Sequence, residues 1–254
     1  MNVIAFVSAK GGVGKTTLCA NLSAALHTKA EHVLALDMDP QNSLGLHFGI
    51  SPAYQDGLSR NTLYGGKWSS SILDSTQSCN ILPFGRLNEE DRESFEQALR
   101  NNPRLLADSL DSLALPENTL VVIDTPTGAS VYLKQALSVA NAVVVVLHPT
   151  PAACATLPMI IGLIDKYCAS KKDFTDYLFI INHVNRESRL GNDVVKAMRA
   201  MLGDKKVVIV HQDQSIPEAL ACNQDLINYE PNCRGADDLN SCAEILQVVL
   251  KEKR

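Results

Sequence analysis

The sequence predicts an α/β fold, a mostly parallel twisted β-sheet flanked by helices on both faces. Three observations predict it. Short apolar runs recur at 3–7, 33–36, 120–123, 143–147, 178–181 and 207–210. None alternates with polar residues, as strands buried on both faces require. Longer amphipathic stretches lie between the runs, so strands and helices alternate along the chain. Polar residues (Asp37, Asp124, Asn182 and His211) follow the runs, where open α/β sheets place their ligands.

The first run, 3–7, leads into Ser8-Ala9-Lys10-Gly11-Gly12-Val13-Gly14-Lys15-Thr16-Thr17, and a helix is expected over 16–29. Strand, glycine-rich loop and helix are the context of a phosphate-binding loop. Glycines let backbone N–H groups turn inward around phosphate oxygens. The helix N-terminus adds partial positive charge. Lys15 supplies a full charge for the β- and γ-phosphates, and the Thr16 hydroxyl is placed for Mg²⁺. Gly11, Gly12, Val13, Gly14 and Thr17 complete the cradle. The second run, 33–36, ends in Asp37-Met38-Asp39-Pro40-Gln41. Two carboxylates two apart at a strand end can hold a metal-bound water and orient an attacking one. Read alone, the pair is more often an ordinary loop feature.

The region 49–78 is irregular and rich in Gly and Ser, and it contains the only Trp, Trp68. It is expected to be a surface excursion. A short strand is expected at 80–83. Helices follow over 89–114, opened by the acidic cluster Glu89-Glu90-Asp91 that suits a helix N-terminus, and over 129–139, 153–169, 190–202, 215–222 and 237–252. The run 120–123 ends in Asp124-Thr125-Pro126, an apolar strand closed by a carboxylate that holds Mg²⁺ through water in Walker B arrangements. Without the loop upstream, Asp124 would read equally as a turn residue. Asn182 ends the run 178–181, and an amide offers the paired donor and acceptor that a base edge needs. His211 opens the stretch after 207–210 and is not read as an acid or base.

Composition bounds the rest. The chain has 254 residues, 46% of them apolar, and is expected to form one domain over 1–254. A net charge of −5 gives no global field that attracts DNA or anionic lipid. The seven cysteines are odd in number and lack CxxC spacing, so reduced thiols in a cytoplasmic protein are expected. The first strand is expected to start at once, and no signal peptide is expected. The longest apolar run, Ala142 to Leu147, falls far short of the ~20 residues that span a bilayer.

The loop departs from the strict pattern, because Ala9 stands at the first glycine and Lys10 precedes the glycine pair. KGGxGK[ST] resembles the deviant Walker A motif of the ParA/MinD family of ATPases, P-loop NTPases of the SIMIBI type. Asp37-Met38-Asp39-Pro40-Gln41 resembles that family's DxDPQ signature. The resemblance spans nearly the whole chain, and it implies roles by position. Lys10 would reach across a dimer interface to the partner's nucleotide. Asp39 would position or activate the hydrolytic water, and Asp37 and Asp124 would support the Mg²⁺ ion. The segment 125–129 would sense the γ-phosphate. Asn182 would bond the adenine, and His211 stands where relatives carry a Pro whose backbone meets the base. The implied catalytic set is Lys10, Lys15 and Asp39.

Further text is similar to the cellulose-biosynthesis branch of that family, the BcsQ type. It comprises Leu82-Pro83-Phe84-Gly85-Arg86-Leu87 before an acidic helix, Ile181-Asn182, His211-x-Asp213, Glu218-Ala219-Leu220-Ala221, Tyr229 and Asp237-Asp238. The resemblance implies an ATP-dependent dimerising switch that binds ATP or ADP with Mg²⁺. It would assemble or localise a bacterial inner-membrane complex, the cellulose secretion machine, through protein partners. Two other classes stand beside it. A DNA-partitioning ATPase needs a basic stripe, against which the acidic balance counts. A membrane cycler, with peripheral contact at the inner membrane, needs a terminal amphipathic helix. The stripe Leu239, Ala243, Leu246, Val249, Leu250, with basic Lys251, Lys253 and Arg254, has that form but is expected to pack on the domain.

Overall fold

The computed structural model describes residues 1–28, 32–74 and 79–251. Seven strands form one sheet: β1 (Asn2–Val7), β2 (Val33–Asp37), β3 (Asn80–Leu82), β4 (Leu120–Asp124), β5 (Ala142–Leu147), β6 (Asp176–Val184) and β7 (Val207–His211). Their order is β3-β2-β4-β1-β5-β6-β7, and every pairing is parallel. Each predicted run became a strand.

Helices return the chain from strand to strand. They are α1 (Lys15–His27), α2 (Leu58–Tyr64), α3 (Glu89–Asn101), α4 (Leu105–Ser112), α5 (Val131–Val139) and α6 (Pro151–Cys154). They continue with α7 (Leu157–Cys168), α8 (Arg189–Leu202), α9 (Ser215–Ala221), α10 (Leu226–Tyr229) and α11 (Arg234–Lys251). Successive β1 side chains split between two cores, as strand pleating requires. Ile4 and Phe6 pack with α1 and α9–α11. Val3, Ala5 and Val7 pack with α3–α5, α7 and α8. Apolar surface is thus removed from water on both faces, at roughly 25 cal/mol per Å² buried.

The expected helix at 89–114 is two helices. Asn102 is extended, at φ −118° and ψ 95°, because Pro103 disfavours helical backbone in the residue before it. The expected helix at 153–169 is also divided, into α6 and α7, with Pro158 in the first turn of α7. Prolines open helices well because their missing N–H has no intrahelical role there. Position 29 of the first expected helix and position 252 of the last lie outside the described residues.

The region 49–78 is more firmly anchored than a surface excursion. Leu58 and Trp68 are buried, and the Ser59 hydroxyl donates to the Phe84 carbonyl at 2.6 Å. Gly57 and Gly85 let two loop segments touch. A Cβ on Gly57 would sit 2.4 Å from the Gly85 nitrogen, and Gly85 has φ +86°. Residues 75–78 of this stretch lie outside the described residues.

The stripe on the last helix faces inward. Leu239, Ala243, Leu246 and Leu250 are buried, and Val249 packs against the same core. Lys253 and Arg254 lie outside the described residues. No helix among those described is long and apolar enough to cross a membrane.

Candidate nucleotide-binding site

The topology concentrates the candidate residues at one end of the sheet. β1 has β4 on one side and β5 on the other. The chain reverses direction across the sheet there, which opens a crevice at the carboxyl ends of the strands. The loop after β1 enters that crevice and runs into α1.

Gly12 and Gly14 have φ of +72° and +81°, a region that costs a side-chain-bearing residue strain. Gly14 is also where another element closes in. A Cβ there would lie 2.4 Å from the Asn182 amide nitrogen. That amide, at the end of β6, donates to the Val13 carbonyl at 2.9 Å. Asn182 therefore holds the loop's shape as well as lining the adjoining pocket.

Lys15, Thr16 and Asp124 meet behind the glycines. The Lys15 ammonium lies 2.5 Å from one Asp124 carboxylate oxygen, and the Thr16 hydroxyl donates to the other at 2.7 Å. Burial works against the Lys15 charge, but the neighbouring Asp124 charge and its hydrogen bond outweigh it and raise the lysine pKa. Burial pulls the Asp124 carboxyl upward and Lys15 pulls it back; with the ammonium at 2.5 Å we take the pair as ionised. Asp37 stands in register beside Asp124 on the adjacent strand. Burial, then the Asp124 charge, pushes its carboxyl well above the ordinary range. Its oxygens accept backbone N–H bonds from Asp39 at 2.8 Å and Leu44 at 3.0 Å. Asp37 thus shapes the turn that presents Asp39.

Asp39 is half-buried. One of its oxygens accepts the Gln41 N–H at 2.9 Å, and the other has no partner among the described residues. Lys10 is exposed beside the glycines and forms no ion pair among the described residues. The segment after β4 packs against the loop after β1. The Thr125 hydroxyl donates to the Phe6 carbonyl at 2.6 Å, and the Gly128 N–H donates to the Ser8 carbonyl at 2.9 Å.

A cavity of about 210 Å³ adjoins the loop, lined by Gly14, Thr17, Asn182, His211, Gln212 and Gln214 among others. His211 lines it, but both ring nitrogens are occupied, by Asp238 at 2.8 Å and Arg234 at 3.0 Å. No ring nitrogen is left to bond a base.

Sequence reasoning missed two residues. The Ser8 hydroxyl is buried in the loop with no hydrogen-bond partner among the described residues, and only its place in the motif could have singled it out. Asn42 sits at φ +51°. Its side chain donates to the Pro52 and Tyr54 carbonyls at 3.3 and 3.4 Å and accepts the Gly85 N–H at 3.2 Å. It ties the Asp39 turn to the region 49–85, and an Asn after Pro-Gln is a recognisable turn signal.

The arrangement can accept a phosphate chain. An orphaned hydroxyl, a glycine cradle and a buried ammonium point to one place. Two buried carboxylates opposed by one lysine favour added positive charge, and hydroxyl and carboxylate oxygens are the ligands that Mg²⁺ takes.

Comparison with known proteins identifies the family. Residues 1–246 match the family model for cellulose biosynthesis protein BcsQ. The BcsQ protein of Salmonella typhimurium is 25% identical over 244 residues, which cover 96% of this chain and 93% of the relative. The chromosome partitioning protein ParA of Caulobacter vibrioides is 27% identical over 262 residues, covering 100% and 96%. The septum site-determining protein MinD of Pyrococcus horikoshii, complexed with Mg-ADP, has a TM-score of 0.73 at 24% identity and covers 100% of this chain and 98% of its own. The chain belongs to the cellulose biosynthesis protein BcsQ family, within the ParA/MinD-type P-loop ATPases.

Proposed function

We propose that this chain is a switch ATPase that dimerises around two ATP molecules. In the ATP state it helps assemble or localise the cellulose synthesis and secretion machinery at the bacterial inner membrane. The observation that carries the reading is the convergence of Lys15, Thr16 and Asp124 behind a glycine cradle, with Lys10 exposed beside it. The family supports the cellulose role.

The backbone N–H groups of 11–14 and the Lys15 ammonium hold the triphosphate. An incoming phosphate competes with Asp124 for Lys15 and Thr16. Thr16 and Asp124, with Asp37 behind them, would hold Mg²⁺, which when bound neutralises phosphate charge. Asp39 offers its unpaired oxygen to the attacking water. Lys10 of each chain neutralises charge on the opposite nucleotide. Catalysis rests on positioning and charge stabilisation. Phosphate release loosens the segment 125–129, which packs on the loop itself, and turnover is slow until a partner stimulates it.

Calorimetry with ATP and Mg²⁺ tests the phosphate assignment. The wild-type chain should give a binding isotherm, and Lys15→Ala should give none. Wild-type affinity in the variant would refute the assignment.

A second reading, peripheral membrane contact, is favoured by one observation. Ile245 and Val248 are 36% and 56% exposed on the outer face of α11. Co-sedimentation with anionic vesicles, comparing Ile245→Glu/Val248→Glu with the wild type, tests it without cutting into buried residues of that helix. A salt-titrated DNA shift assay tests the partitioning reading, which the likeness to ParA supports and the net charge of −5 opposes.

A further inference from the structure

The N-terminal end of α11 is fastened to the loop that walls the base-side cavity. Asp238 takes both the backbone N–H and the Nδ1 of His211 on a single oxygen, each at 2.8 Å. The geometry fixes the tautomer: Nδ1–H donates to the carboxylate, so Nε2 is the acceptor. Nε2 accepts from the Arg234 guanidinium at 3.0 Å. Two residues further on, Asp213 accepts the Ser215 N–H at 2.9 Å and the Gly235 N–H at 2.7 Å. Burial pushes the Asp213 carboxyl up, but those backbone bonds outweigh it and hold it below the usual carboxylate range. The approach is close at Gly235, where a Cβ would lie 3.0 Å from the Leu226 side chain and 3.3 Å from that of Asp213.

His211, Gln212, Asp213 and Gln214 all line the cavity beside Gly14 and Asn182. Their placement therefore depends on Asp238 and Arg234, which do not line it. We propose that Asp238, His211 and Arg234 form a positioning relay that sets the base side of the nucleotide pocket, so that recognition of the base depends on the N-terminal end of the last helix while grip on the triphosphate does not. The proposal rests on the nucleotide-binding reading above and deepens it. The relay separates two halves of one site. The phosphate half is built from the loop after β1 and from Asp124. The base half is built from the ends of β6 and β7 and is held from behind by α11. The base itself is left to the Asn182 amide and to the Gln212 and Gln214 side chains, whose exposed ends are not committed to the relay.

The test compares two probes in calorimetry, ATP with Mg²⁺ and inorganic tripolyphosphate with Mg²⁺. The wild-type chain should bind ATP the more tightly, and the ratio measures the contribution of the base side. Asp238→Ala should lower ATP affinity by about tenfold, the scale of losing hydrogen bonds to a charged group, and leave tripolyphosphate affinity unchanged. Asp238→Asn keeps an acceptor oxygen and should restore most of the ratio. Arg234→Gln keeps Asp238 and should reduce the ratio severalfold, which serves if Asp238→Ala fails to fold. An unchanged ratio in the variants would overturn the relay. So would a parallel fall in both affinities, which would mark a merely structural role. A wild-type chain that binds neither probe would remove the nucleotide reading itself.

Discussion

Gly14 shows how one residue type can be required twice. Its φ of +81° suits glycine, and its missing Cβ makes room for Asn182. Gly14→Ala should therefore cost about 1–3 kcal/mol and weaken ATP binding more than Gly65→Ala, whose φ is also positive but whose surroundings are open. Thermal melts and calorimetry of the pair check this. A second residue-scale prediction concerns His47. It is 4% exposed, its Nδ1 has no partner among the described residues, and burial alone lowers its pKa to about 4. The folded chain keeps it neutral while the unfolded chain protonates it near 6.5. Between those values the unfolded state binds more protons, so stability falls as pH drops from 6.5 towards 4. The full difference corresponds to about 3 kcal/mol. His47→Phe should flatten that part of the stability curve in urea melts taken from pH 7 to pH 4.

At the scale of elements, caps and prolines set the boundaries. Asn88 accepts the Asp91 N–H at 2.8 Å and opens α3, whose first turn holds Glu89, Glu90 and Asp91. Asn88→Ala should lose about 1 kcal/mol, read as a lower melting temperature with unchanged nucleotide affinity. The acidic opening of α3, the strands and the phosphate loop were legible because each depends on neighbours in sequence. Uninterrupted apolar runs mark doubly buried strands, and glycines beside Lys15 mark the cradle. The two helix breaks were also written in the text, at Pro103 and Pro158, but an amphipathic period that continues across a proline hides them. Other features depend on neighbours in space. The anchoring of 49–74 needs Phe84 and Gly85 brought against Ser59 and Gly57. The hold of Asn182 on Val13 spans most of the chain. The occupation of His211 by Asp238 and Arg234 joins β7 to a helix that sequence reasoning started three residues late. The strands that carry the candidate residues were thus readable, and the contacts that support those residues were not.

For the whole molecule, the proposed switch turns on the placement of Lys10. Lys10 is exposed and unpaired among the described residues. Its charge lies close to the cradle that would hold a triphosphate bearing several negative charges, and facing a second copy would bring a second such charge to each nucleotide. Long side chains lose entropy when fixed, so Lys10 has no reason to order until a partner's phosphates reach it. On the proposed reading, dimerisation is then conditional on ATP by simple electrostatics. Lys10→Ala should bind ATP with near wild-type affinity, since Lys15 and the backbone remain, yet stay monomeric by light scattering with ATP and Mg²⁺. Asp39→Ala should behave in the opposite way: it removes the oxygen offered to water and leaves every phosphate contact in place. That variant should accumulate as an ATP-bound dimer with phosphate release lowered at least tenfold, on the scale of general base loss. A Lys10→Ala chain that dimerises normally would assign the interface to other residues, and undiminished phosphate release from Asp39→Ala would take that carboxylate out of the reaction.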